Sequence, residues 1–269
     1  MLAIHSVSSL PYLAKSNTHR FEVEEFELYT AILSALNWRK LNGDIIMLTD
    51  DIAFEYYNKP SLKGIWSDIR PIISNDLEGI NPKMFWAAAK LLALREMPAP
   101  IVMMDTDFIV WEKLNLKPVI TAAHYEDINP DIYPDFSLFE TNDYSINPNW
   151  SKSVLPLNTC FLYLPDEDFK QYYVNKSIEF MKFAVECDDY LCRMVFAEQR
   201  LLSICADELK MPIEVLMDKL NQNRFTHLWG AKRVLRENAQ IKGEFLNKCK
   251  ERIRNDFPGV FPVVSSLFR

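Results

Sequence analysis

Two short apolar runs break off at acids: Ile-Ile-Met-Leu-Thr ends at Asp50-Asp51, and Ile-Val-Met-Met ends at Asp105-Thr106-Asp107. A strand without polar alternation is one covered on both faces, the habit of inner strands in a parallel sheet flanked by helices. Helical spacing precedes each run. Phe26, Tyr29, Ile32, Leu33 and Leu36 share one face of a helix predicted over 23–39, which Gly43 stops. A second helix is predicted from Asn81-Pro82 through Phe85, Ala89, Leu92 and Ala93, ending at Met97-Pro98-Ala99-Pro100. Further strands are expected at 2–6, 108–111, 119–123 and 155–164, and helices over 169–185, 190–208 and 232–255. This alternation predicts an α/β fold, with a mostly parallel central sheet and a helical C-terminal part. Residues 1–235 are read as the main domain and 236–269 as a helical extension packed on it.

Composition narrows what such a sheet can serve. Glycine supplies only 6 of 269 residues, each isolated from the next. Neither a Gly-x-Gly-x-x-Gly nor a Gly-x-x-x-x-Gly-Lys can be written from them, so dinucleotide fingerprints and P-loops are excluded in recognisable form. Lys and Arg number 30 against 37 Asp and Glu, a net charge of −7. Its densest basic stretch, 232–254, is interleaved with Glu237, Glu244 and Glu251, so no nucleic-acid partner is expected. Five cysteines, an odd number without a Cys-x-x-Cys pair, read as buried free thiols in a reducing compartment. Without a basic leader or 18 consecutive apolar residues, the chain is expected to be cytoplasmic and to lack a spanning helix, with peripheral membrane contact left open.

Ligands of open α/β sheets bind beyond the carboxyl ends of the strands. That edge gathers His5 and Ser6, Asp50 and Asp51, and Asp105 and Asp107. Asp105 and Asp107, spaced i and i+2, point to one side, where both can reach one divalent cation through oxygen. Aspartates also open turns, the plainer alternative. Far downstream, Thr226-His227-Leu228-Trp229-Gly230-Ala231-Lys232 offers an imidazole for a Mn2+-like metal, a glycine for close approach and an ammonium for a diphosphate. On its own it reads rather as a capping histidine beside a core tryptophan. The irregular stretch 125–152, rich in Asp, Asn, Pro and Tyr, reads as a long functional loop.

Taken together, these motifs resemble the GT-A nucleotide-sugar glycosyltransferases, particularly the retaining enzymes of the glycogenin and lipopolysaccharide-galactosyltransferase type. The shared pattern is an apolar strand, Asp-x-Asp and a second apolar strand (Ile101-Val-Met-Met-Asp105-Thr-Asp107-Phe-Ile-Val), then His-x-x-Gly-x-Lys (His227-Leu-Trp-Gly230-Ala-Lys232). Order and approximate spacing agree over residues 1 to about 235, although Arg233-Val234 stands where the family usually has Pro-Trp. The resemblance implies a GT-A catalytic domain that moves a sugar from a nucleoside diphosphate, a UDP-sugar, to a glycan, lipid-linked or protein acceptor, with retention. It implies Mn2+ (or Mg2+) held by Asp105, Asp107 and His227, and a donor diphosphate met by Lys232 beside Gly230. It also implies a donor contact from Lys90, a sugar pocket at Asn158, sugar-hydroxyl contacts at Glu198 and Gln199, and a nucleoside site at His5, Ser6 and Asp50. Cys160 replaces the glycine of the family's pocket segment. An inverting enzyme would need a base, for which Glu198 or Asp207 is the candidate.

Two other readings stand beside it. Asp105-Thr-Asp107 also resembles the opening of a haloacid-dehalogenase phosphatase, with Asp105 as nucleophile and Asp107 as acid/base, and Asp188-Asp189 as the later acid pair. A non-catalytic nucleotide-sugar or glycan-binding protein would carry the same ligating groups.

Overall fold

A computed structural model describes residues 1–16, 20–188, 190–217 and 222–267. In chain order, β1 (Ala3–Val7) is followed by α1 (Leu10–Lys15), α2 (Glu25–Leu41), β2 (Ile45–Thr49), α3 (Asp51–Tyr57) and β3 (Asp68–Arg70). Next come α4 (Ala88–Glu96), β4 (Ile101–Met104), β5 (Phe108–Val110), β6 (Ile120–Tyr125), β7 (Leu157–Leu164) and α5 (Glu167–Phe183). Helix α6 (Tyr190–Val195) runs through a π-helical turn, Phe196–Arg200, into α7 (Leu201–Glu208). The chain closes with β8 (Ile213–Val215), β9 (Phe225–His227), α8 (Ala231–Glu237), α9 (Ala239–Asp256) and α10 (Phe261–Val264).

Seven strands form one sheet in the order β3-β2-β1-β4-β7-β6-β8. The first four are mutually parallel, β7 is antiparallel to both of its neighbours, and β8 is parallel to β6. Because successive side chains point to opposite faces, the apolar runs feed two cores at once. Ile4, Ile46, Leu48, Met103 and Leu162 pack on one side with residues of α4, α5 and α7. Ala3, Ile45, Met47, Val102 and Phe161 pack on the other with α2 and α9. This is the α/β sandwich with a mostly parallel sheet that the alternation predicts. Helix α2 is buried almost all round from Phe26 to Trp38, with Glu25 and Glu27 in its first turn and Arg39 and Lys40 in its last, matching the helix dipole. None of the five cysteines forms a disulfide.

The structure differs from the sequence reading at several elements. Phe108–Val110 leaves the central sheet: the turn closed by Phe108 N–H on the Asp105 carbonyl (3.0 Å) reverses the chain, and β5 pairs antiparallel with β9 instead. The helix expected from Asn81 begins at Ala88, because the Asn81 side chain accepts from the backbone of Lys83 (2.9 Å) and Met84 (3.3 Å) and holds a turn. The last helix is two, divided at Asn238, whose extended backbone and side-chain bond to Ile241 N–H (3.0 Å) start α9 afresh. Leu246, Cys249 and Ile253 of α9 are buried in the core that α2 shares, and Lys250 pairs with Glu25 at 2.8 Å.

Candidate functional site

Strand β4 delivers Asp105 to the carboxyl edge, where its backbone N–H is tied to the Cys160 carbonyl at 2.8 Å. Asp107, only 4% exposed, directly precedes β5. Because β5 pairs with β9 in the register Phe108↔His227, the distant histidine arrives beside the acids. Trp111 Nε1 donates to Thr226 Oγ1 at 2.8 Å and pins the same pairing. One ligand atom from each of Asp105, Asp107 and His227 lies within 4.8 Å of the others. A divalent ion takes oxygen and nitrogen ligands at roughly 2.0–2.6 Å, so ligand atoms this close can share one ion. The His227 ring suits that task, since burial lowers its pKa and keeps it neutral despite both aspartates.

Two lysines are laid against these acids. Lys232 Nζ is 2.8 Å from Asp107 Oδ2, and Lys90 Nζ is 2.6 Å from Asp105 Oδ1. Lys90 also bonds Glu198, whose Oε1 accepts a second bond from Thr159 Oγ1 at 2.7 Å. Burial alone would lower the Lys90 pKa, but Asp105 and Glu198 outweigh it and hold the ammonium charged. Burial would likewise raise the Asp105 pKa, and Lys90 reverses that. Lys232 is raised against its own burial by Asp107. Three carboxylates face two ammoniums, so a bound divalent ion would turn the site from net negative to net positive, the sign needed to hold a phosphate.

Glu198 sits in the π-helical turn between α6 and α7, with Tyr173 Oη donating to its carbonyl at 2.5 Å. Such turns recur at functional positions, because they aim side chains that a regular helix would turn away. The irregular loop is anchored to the same place. Tyr133 Oη donates to Gln199 Oε1 (2.5 Å), and Asn158 Nδ2 to Glu126 Oε1 (2.7 Å).

Ser6, Lys90, Asp105, Asp107, Asn158, Glu198, Gln199, His227 and Lys232 therefore line one cleft of about 510 Å³. A narrower lobe of about 170 Å³ continues from Asp107 and Lys232 between Tyr12, Phe21, Glu27 and Tyr57. The sequence reading missed Trp86, Glu27 and Arg236, none of which carries a signal in spacing. The plainer reading of the histidine motif took Trp229 as a core residue, whereas its ring is 75% exposed.

Two expected residues are tied up within the fold. His5 is fully buried: Trp66 Nε1 donates to its Nδ1 (3.1 Å), and its Nε2 meets Ser34 Oγ (3.1 Å), so neither nitrogen is left for a nucleoside. The Asp50 carboxylate is consumed within the fold. Its Oδ1 caps α3 through Ala53 N–H (2.8 Å), and its Oδ2 accepts from Ser8 Oγ (2.8 Å), Ser9 N–H (2.6 Å) and Ser9 Oγ (3.0 Å). Gly230 has φ −79°, and a Cβ there would meet no protein atom within 4 Å, so nothing in the backbone requires glycine. Of the phosphatase acids, Asp188 is exposed and does not line the cleft, and Asp189 lies outside the described residues. Asp207 pairs with Lys210 on α7 (3.2 Å), away from the cleft.

The sequence matches, over residues 8–261, the model of a "Family of unknown function (DUF6734)". No curated protein matches it. Similar solved structures include the PaToxG glycosyltransferase (7% identity, covering 100% of this chain and 80% of that one, TM-score 0.42). Mouse xyloside xylosyltransferase 1 in its apo form is 13% identical over 80% of this chain and 84% of that one, with a TM-score of 0.42. The galactosyltransferase LgtC with donor and acceptor sugar analogs is 12% identical over 84% and 86%, with a TM-score of 0.43. At these scores the likenesses carry no argument, and the chemistry rests on the cleft's side chains. Among the described residues, no helix is long and apolar enough to cross a membrane.

Proposed function

The chain belongs to that family of unknown function, and we propose that it is a metal-dependent glycosyltransferase. It moves a sugar from a nucleoside diphosphate, a UDP-sugar, to a hydroxyl of a glycan, lipid-linked or protein acceptor, with retention at the anomeric carbon. The observation that carries this reading is the meeting of Asp105, Asp107 and His227, the histidine 120 residues beyond Asp107 in sequence, beside two lysines in one cleft.

Two oxygens and a neutral imidazole suit Mn2+, or Mg2+ with a less favoured nitrogen ligand. When bound, the cation acts as a Lewis acid that lowers the cost of charge developing on the departing β-phosphate. Lys232, half-buried and already paired with Asp107 at 2.8 Å, turns its ammonium to the diphosphate and shares that charge. Lys90 keeps Asp105 ionised and holds it together with Glu198, which fixes the floor of the sugar pocket. Asn158, Glu198 and Gln199 hold the sugar hydroxyls. The narrow aromatic lobe beyond Lys232 takes the nucleoside, with Ser6 at its approach.

The bond from the anomeric carbon to the β-phosphate oxygen breaks, and the bond to the acceptor oxygen forms. The acceptor's proton passes to the departing phosphate oxygen, so retention needs no protein base. Calorimetric titration with UDP tests the reading. The wild type binds UDP with Mn2+ and loses that binding in EDTA, and Asp107→Asn does not bind under either condition. Equal binding with and without Mn2+ would falsify the metal assignment.

A further inference from the structure

Trp229 is 75% exposed, the most exposed of the large apolar side chains described. Trp38, Trp66 and Trp150 are at most 5% exposed, the ordinary state of this residue. Trp229 stands in the turn between β9 and α8, two residues beyond His227, and it lines the cleft. Two further exposed apolar residues, Tyr12 (37%) and Leu191 (43%), line the same cleft, as does Trp86. The mouth therefore offers flat apolar surface, while its floor offers the amide and carboxylate groups of Asn158, Gln199 and Glu198.

We infer that Trp229 is a platform for a pyranose ring of the acceptor, so that the acceptor is a carbohydrate chain. This rests on the transferase reading and names the class of its second substrate. A pyranose has a face of C–H bonds and a rim of hydroxyls, and an indole face covers the first while leaving the second free to hydrogen-bond. An alkyl chain laid into this cleft would bury the polar floor without partners, a desolvation cost it could not recover. A folded protein acceptor would need a flatter approach than a cleft lined on several sides. A carbohydrate satisfies both halves of the surface, and indole is the side chain that offers the largest such face.

The test uses the full chain loaded with Mn2+ and UDP, titrated with soluble tetrasaccharides of α- and β-linked glucose, galactose and N-acetylglucosamine. Binding is followed by saturation-transfer NMR and intrinsic tryptophan emission. At least one saccharide is expected to bind the wild type, with its Kd raised tenfold or more in Trp229→Ala and less than threefold in Trp229→Phe. The UDP Kd stays within twofold in both variants. Since Trp229 is exposed, unchanged thermal midpoints will show that the variants fold. A saccharide affinity indifferent to Trp229→Ala, or no saccharide binding at all, overturns the platform. So does a UDP affinity that falls with Trp229→Ala, because the indole would then stack on the nucleobase. Absence of Mn2+-dependent UDP binding in the wild type overturns the transferase reading itself, which separates the two failures.

Discussion

The Lys90 ammonium lies between the carboxylates of Asp105 and Glu198, and burial alone would make Asp105 costly to keep charged. Removing one partner of a buried ion cluster leaves the others uncompensated, so Lys90→Met is expected to destabilise the fold by about 3–5 kcal/mol. Urea unfolding checks this; a loss below about 1 kcal/mol would mean that water screens the cluster. His5 gives a prediction of the opposite kind. Burial holds its pKa down to about 3, and the Trp66 N–H aimed at Nδ1 leaves no room for a second proton. The folded protein thus keeps His5 neutral while the unfolded chain protonates near 6.5, so its contribution is complete above that pH and declines as pH falls toward about 3. Between pH 7.5 and pH 5 the loss from this residue is about 2 kcal/mol. Unfolding measured at both pH values should show a shallower acid slope in His5→Gln; equal slopes would mean that the ring is already protonated in the fold.

At the scale of elements, the two-stranded pairing of β5 with β9 assembles the site. Thr226→Pro removes a backbone donor from that short ladder. It should abolish Mn2+-dependent UDP binding while far-UV circular dichroism changes by less than a tenth; retained binding would show that β9 finds its place without the ladder. The same pairing marks where sequence reasoning reached and where it stopped. The runs 45–49 and 101–104 are readable as inner strands because both faces of each are apolar. Phe108-Ile-Val is just as apolar, yet the pattern reports only that a strand is covered, not which sheet it joins. Asp105, Asp107, His227 and Lys232 could be named from a motif with chemical meaning. The bond from Lys90 to Glu198 could not, since partners 108 residues apart share no period. His5 and Asp50 were misread for a related reason. A polar residue at the end of an apolar run can face a ligand or close the fold, and the choice depends on Trp66, Ser34, Ser8 and Ser9, which no spacing links to it.

Across the whole molecule, the two cores on either side of the sheet leave little free thiol surface. Cys160, Cys192, Cys205 and Cys249 are buried, and burial pushes the Cys160 thiol well above its ordinary range and those of Cys205 and Cys249 up to about 12. Native protein with an aromatic disulfide reagent at pH 8 should therefore show one rapidly reacting thiol, Cys187, and five after denaturation. More than one fast thiol would mean that one of the cores opens on the minute timescale. The β5–β9 ladder also has a consequence in time. Trp111 and Thr226 are joined across 115 residues, so a growing chain has made most of its central sheet before the histidine that completes the acidic pair exists. Until then the nascent protein holds Asp105, Asp107 and Lys90, but neither His227 nor Lys232. A chain ending before residue 227 would thus lack both the imidazole of the proposed metal site and the Lys232 ammonium beside it.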